Sequence, residues 1–177
     1  MKSLVLSLIM AVSLFAGSVS LLIPGAVAHF DKNKVGRSYN MLTPGVGVQY
    51  EQRYTYKWSV VGSAMVLADS FGDPMASMTI SPTVTAYETR HMRLRIGVDV
   101  GIAYKQQLSY RWYWSKDTNK TVYVPWKEYY HVLPAAALTA SMQFRDWFIS
   151  TSYIPQNGPR GTNGNLLLFV LGVDIGD

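Results

Sequence analysis

Hydrophobic and polar residues alternate one by one along much of this chain, which is the period of an extended strand. The clearest run is Met92 to Tyr104, where Met92, Leu94, Ile96, Val98, Val100 and Ile102 alternate with Arg93, Arg95, Gly97, Asp99, Gly101 and Ala103. Successive side chains of a strand point to opposite faces, so one face can meet lipid while the other turns inward. Beyond residue 18 such segments recur between turn residues, and no amphipathic helix interrupts them. The alternation predicts eight strands, at Val19–Phe30, Pro44–Tyr54, Lys57–Asp69, Pro74–Tyr87, Arg90–Tyr104, Tyr129–Ala140, Phe144–Pro155 and Asn165–Ile175. The connections after strands one, three, five and seven are Asp31–Thr43, Ser70–Asp73, Lys105–Glu128 and Gln156–Gly164, and the others are short. Bacterial outer-membrane barrels have short periplasmic turns and longer outer loops, so this pattern also sets an orientation. The expected fold is therefore an all-β, eight-stranded antiparallel transmembrane barrel, whose closure leaves no strand edge unpaired in lipid.

Composition agrees with a barrel wall. Hydrophobic residues make up 49% and charged residues only 15% of 177, yet the mean hydropathy is just +0.06. Apolar and polar residues must then be interspersed, unlike those of a membrane-helix bundle. The absence of cysteine excludes a disulfide framework, a zinc–thiolate site and a cysteine nucleophile. A net charge of +5 suits an anionic membrane surface as well as nucleic acid. Placing the charges favours the membrane. Lys32, Lys34 and Arg37 fall in the first outer loop and Lys105, Arg111, Lys116, Lys120 and Lys127 in the third. Basic outer loops can bind phosphorylated lipid headgroups, or simply be solvated.

The N-terminus reads as an export signal. Lys2 precedes the apolar run Leu4 to Phe15, followed by Ala16, Gly17 and Ser18. Residues 1–18 are the expected signal peptide and 19–177 the barrel domain, destined for the outer membrane. The rival is an uncleaved anchor helix running to Leu22, against which Gly17 and Pro24 argue.

Leu166-Leu167-Leu168-Phe169-Val170-Leu171 and Leu133-Pro134-Ala135-Ala136-Ala137-Leu138 are apolar on both faces, as strands buried on both sides are. An apolar interior of eight strands could hold one acyl chain, or be filled by its own side chains. His29, His91 and His131 share no close spacing with carboxylates, which predicts no metal site. His29 ends strand one and Asp69-Ser70 ends strand three, so all three sit at the outer rim with one strand between them. A histidine, a carboxylate and a hydroxyl suffice for acyl transfer with the imidazole as base. The plainer reading of an Asp-Ser pair is a turn cap.

At these residues the chain resembles the lipid A palmitoyltransferase family of outer-membrane enzymes, over roughly Leu22 to Val173. Ile23-Pro24-Gly25-Ala26-Val27-Ala28-His29 is similar to the segment leading to the family's histidine. Ala68-Asp69-Ser70-Phe71 resembles its Asp-Ser turn, and Ser152-Tyr153-Ile154-Pro155 with Asn163-Gly164-Asn165 resembles its last strands. The resemblance implies a phospholipid acyl donor and a lipid A (lipopolysaccharide) acceptor, a monomer without cofactor or nucleic-acid partner, and His29, Asp69 and Ser70 as the catalytic set. It further implies that Pro24, Pro44, Pro134 and Pro155 interrupt strand pairing to form lateral lipid gates, since proline has no N–H for the ladder. The family places a glycine on the barrel floor in strand four. Here that strand reads Met78-Thr79-Ile80-Ser81-Pro82-Thr83-Val84, which puts Ser81 at the floor and implies palmitate or a somewhat shorter chain. The expected function is thus an outer-membrane phospholipid:lipid A acyltransferase. The alternative is a non-enzymatic small barrel with a binding or envelope-shielding role, and a lipocalin-like acyl carrier is a third reading.

Overall fold

Period-two alternation builds a closed wall. A computed structural model describes residues 17–30, 41–69, 72–117, 119–155 and 165–176. Its strands are β1 (Gly17–His29), β2 (Gly45–Arg53), β3 (Trp58–Ala68), β4 (Pro74–Glu88), β5 (Arg93–Ser115), β6 (Lys120–Phe144), β7 (Trp147–Ile154) and β8 (Leu166–Gly176). Each pairs antiparallel with its neighbour in sequence, and β8 returns to pair with β1. Closure leaves no sheet edge in lipid, as the alternation requires.

Two boundaries differ from expectation in ways that matter. Gly17 and Ser18, assigned to the signal, lie in β1 opposite Gln52 and Glu51; the rest of the expected signal falls outside the described residues. The segment Lys105–Glu128, expected as a loop, is instead a continuation of β5 and β6. These strands stay paired from Gln106↔Tyr130 to Ser115↔Lys120, with one register shift between Ser109 and Tyr110. Its run of Tyr110, Trp112, Tyr113 and Trp114 against Val122, Tyr123 and Val124 consists of strong strand formers. β4 pairing stops at Lys105 and β7 pairing begins only at Leu138. Among the described residues the hairpin therefore projects alone, about 30 Å beyond the rim at 3.3–3.4 Å per residue.

The outward face is an apolar band: Val46, Val66, Met78, Ile80, Ile96, Val98, Val100, Ile102, Leu138 and Ile149 are all exposed. Tyr54, Tyr56, Trp58, Tyr87 and Trp147 gather at the short-turn end, where an aromatic girdle meets the headgroup level. The turns there are capped by threonines. Thr55 Oγ1 accepts from Trp58 N at 3.0 Å and Thr89 Oγ1 from Met92 N at 3.1 Å.

The inward face is two-sided. Leu22, Val27, Phe148, Leu166, Leu168 and Val170 pack as an apolar cluster along β1, β7 and β8. Gly172 lets the Phe148 ring lie flat on the wall, where any Cβ would occupy the ring's place. The β2–β6 sector is polar, with Ser59, Ser81, Thr83 and Ser141 buried around Glu51, Arg93 and Arg95. The apolar lining is thus concentrated in one sector of the interior, and the remainder mixes hydroxyl, glycine and charge with buried Val61, Leu67 and Ala137.

Candidate functional site

At the outer rim, His29 closes β1 in register with Leu166, and Asp69 follows β3. The Asp69 carboxylate is near enough to act electrostatically on the imidazole, so the topology does bring these two together. Ser70 lies outside the described residues. Asp69 also has a structural task. Its Oδ1 accepts from Asp73 N at 3.0 Å, its N–H donates to Asp73 O at 2.8 Å, and its carbonyl accepts from Gly72 N at 2.9 Å. Gly72 supplies the positive φ of 83° that this turn needs. The turn-cap reading of Asp69 therefore has its hydrogen bonds.

The four prolines sit where ladders stop. β1–β2 pairing ends at Leu22↔Gly47, just before Pro24, and resumes only as the isolated bridge Ala26↔Leu42. Val27 N still reaches Met41 O at 2.8 Å, so the strands diverge without parting. Pro44 lies on the facing stretch, its carbonyl turned to Ala68 N of β3 at 2.9 Å. On the far side, β6–β7 pairing begins at Leu138↔Tyr153, leaving Pro134 and Pro155 beyond its end. Ser81 points inward on β4, opposite Val61, and is 4% exposed. It belongs to the buried polar layer near the short turns.

That layer is the arrangement the residue patterns did not single out. Glu51 Oε2 accepts from Arg93 Nη2 at 2.7 Å and also pairs with Arg95 Nη1. Arg95 Nε donates to Ser141 Oγ at 3.0 Å, and its guanidinium lies 5.5 Å from the Phe148 ring centroid. Gln143 bridges Arg93 to Asp174, donating to Asp174 Oδ2 at 2.6 Å, and Ser20 donates to Oδ1 of the same carboxylate. A buried carboxylate shared by two guanidiniums is tolerated because the opposite charges offset one another and each side chain keeps a polar partner. Below it, a cavity of about 500 Å³ opens at the short-turn mouth between Arg90, Arg145 and the Arg53–Glu88 pair. The signal was present in the sequence, since Arg93 and Arg95 are the polar positions of the clearest strand. Their partner Glu51 comes from a strand far away in sequence. Among the described residues no three histidine or carboxylate side chains cluster to hold a metal ion.

No protein-family model matches the sequence, and no curated protein matches it. Solved structures do. The crystal structure of Ail, the attachment invasion locus protein of Yersinia pestis, superposes with a TM-score of 0.52 at 15% identity, covering 89% of this chain and 95% of that one. The N-terminal β-barrel domain of Pseudomonas aeruginosa OprF gives 0.48 at 15% identity, over 89% and 97%. The first likeness carries the fold: the chain is an eight-stranded outer-membrane barrel. The expected phospholipid:lipid A acyltransferase is corrected here. The barrel it superposes on is an attachment invasion locus protein and not an acyltransferase, and the expected apolar bore is interrupted by buried Glu51, Arg93 and Arg95 with serines and a threonine around them.

Proposed function

We propose that this protein is a non-enzymatic outer-membrane barrel that binds an anionic partner at the cell surface through its β5–β6 hairpin. The observation that carries the reading is the projection of that hairpin past the rim, paired only with itself. A loop serving only to connect two strands has no reason to extend about 30 Å as a two-stranded ribbon. Its composition supports binding as well. Residues 106–130 hold Arg111, Lys116, Lys120 and Lys127 against Asp117 and Glu128, and interleave them with Tyr110, Trp112, Tyr113, Trp114, Tyr123 and Trp126. Basic and aromatic side chains together favour anionic surfaces, since arginine and the large aromatics are the commonest energetic anchors of interfaces. The barrel beneath holds the hairpin in place.

The test uses the full chain in lipid nanodiscs, with heparin as an immobilised polyanion. A variant in which a two-residue turn joins Lys105 to His131 removes the hairpin. Retention at low salt that weakens at physiological salt and disappears in the variant is the expected result. Equal retention with and without the hairpin would defeat the reading, as would no retention of the native barrel.

A further inference from the structure

The cavity of about 500 Å³ at the short-turn mouth has the size of a small-ligand pocket, and Met92 supplies its one apolar side chain among the described residues. Four arginines line it. Two of them are paired, Arg53 with Glu88 at 2.9 Å and Arg93 with Glu51 at 2.7 Å. The remaining carboxylate of the wall, Asp174, lies near enough to act electrostatically on Arg95, which also pairs with Glu51. Arg90 and Arg145 are left over. Among the described residues neither takes part in a salt bridge or a side-chain hydrogen bond, and both border the same space.

Both arginines stand on turns pinned to the barrel. Arg90 follows Thr89, whose Oγ1 accepts from His91 N at 3.3 Å and from Met92 N at 3.1 Å. Arg145 takes the first place of the two-residue turn between Phe144 and Trp147, whose rings stack 4.8 Å apart. Its carbonyl accepts from Gln143 Nε2 at 3.2 Å, and the Asp146 carbonyl accepts from Asp174 N at 2.7 Å. Arg145 has a φ of 51°, the left-handed region, where glycine or asparagine is the less strained choice. Fold stability alone gives no reason for an arginine there. Strain retained at the edge of a cavity points to use of the side chain.

We propose that the short-turn mouth binds a small oxyanion ligand, a dicarboxylate or a phosphate compound, from the periplasmic side, with Arg90 and Arg145 as its two forks. A guanidinium presents paired N–H donors that match carboxylate and phosphate oxygens alike. Two forks without an internal partner suit a ligand with two negative charges. The other charges of the wall are already matched, so they neither cancel the two arginines nor add to them. The site is separate from the β5–β6 hairpin, which projects from the opposite end.

The experiment is isothermal titration calorimetry of the purified full chain in nanodiscs of zwitterionic lipid at low salt, with succinate and, separately, with inorganic phosphate. Saturable binding of at least one is expected, and the tighter of the two tells whether the ligand carries carboxylate or phosphate. Arg90→Gln and Arg145→Gly should each weaken it roughly tenfold, the loss of one charge-assisted hydrogen bond. Arg145→Gly also relieves the turn, so its urea unfolding midpoint should be no lower than the native one. That separates lost binding from a lost fold. The hairpin-deleted barrel should bind as the native barrel does, which keeps this site distinct from the hairpin. No saturable heat with either anion would overturn the proposal. Equal affinity in the native barrel and in a folded Arg90→Gln/Arg145→Gly double variant would overturn it too, leaving both arginines as solvated turn residues.

Discussion

The two ends of this barrel are built from the same strands to opposite effect. At the short-turn end the β2–β3 and β6–β7 ladders run unbroken to their turns, and β3–β4 and β5–β6 pairing reaches Trp58↔Val84 and Arg93↔Gln143. Threonine hydroxyls cap the β2–β3 and β4–β5 turns, and polar and charged groups cross-link β1, β2, β5, β6 and β8 through the lumen. At the outer end the β1–β2 and β6–β7 ladders stop near prolines, and β5 and β6 continue alone. Backbone pairing and buried charge close one end. Their withdrawal at the other frees two strands to project. Stability and surface function are thereby separated along one axis, and each prediction below tries that separation.

The largest effect is expected at the ion layer. Glu51→Ala leaves two buried guanidiniums uncompensated and should destabilise the barrel by about 4 kcal/mol, read as a shift in the urea unfolding midpoint in lipid. A loss below about 1 kcal/mol, the ceiling for exposed pairs, would mean that the closed end is held by its ladders alone. Phe148→Ala comes next. It empties the space against Gly172 and removes the ring beneath Arg95, at about 3 kcal/mol, measured in the same way. Excising Gln106–Tyr130 should change the midpoint by no more than about 0.5 kcal/mol, because an isolated two-stranded ribbon is at best marginally stable and supports nothing beside it. A larger loss would show that the outer end also holds the wall together. Smallest is Arg53→Ala. Its partner Glu88 is as exposed as Arg53 itself, so the cost should stay at about 0.3 kcal/mol and fade as salt is raised.

The wall was legible in the sequence because lipid and lumen impose period two, and Met92 to Tyr104 carries it without a break. Beyond the rim the pattern weakens. In the β5–β6 extension Leu108, Tyr110, Trp112 and Trp114 still alternate with Ser109, Arg111 and Ser115, but Tyr113 and Tyr123 blur the polar side, and the strand propensity of its aromatics and valines is the stronger signal. The prolines were legible for the same local reason, since a missing N–H is a property of the residue and not of its surroundings. The ion layer was not, because Glu51 is separated from Arg93 by 42 residues and only barrel closure brings them within hydrogen-bond reach. The His29, Asp69 and Ser70 constellation shows the converse hazard. A rim histidine beside an Asp-containing turn is chemically suggestive, yet Asp69 is already engaged in shaping the turn it belongs to.

The most direct test takes the native and hairpin-deleted barrels in the same nanodisc preparation and measures heparin retention and the unfolding midpoint together. Loss of retention with an unchanged midpoint is the predicted result, placing binding in the hairpin and stability in the barrel. Retention that survives the deletion would contradict the account.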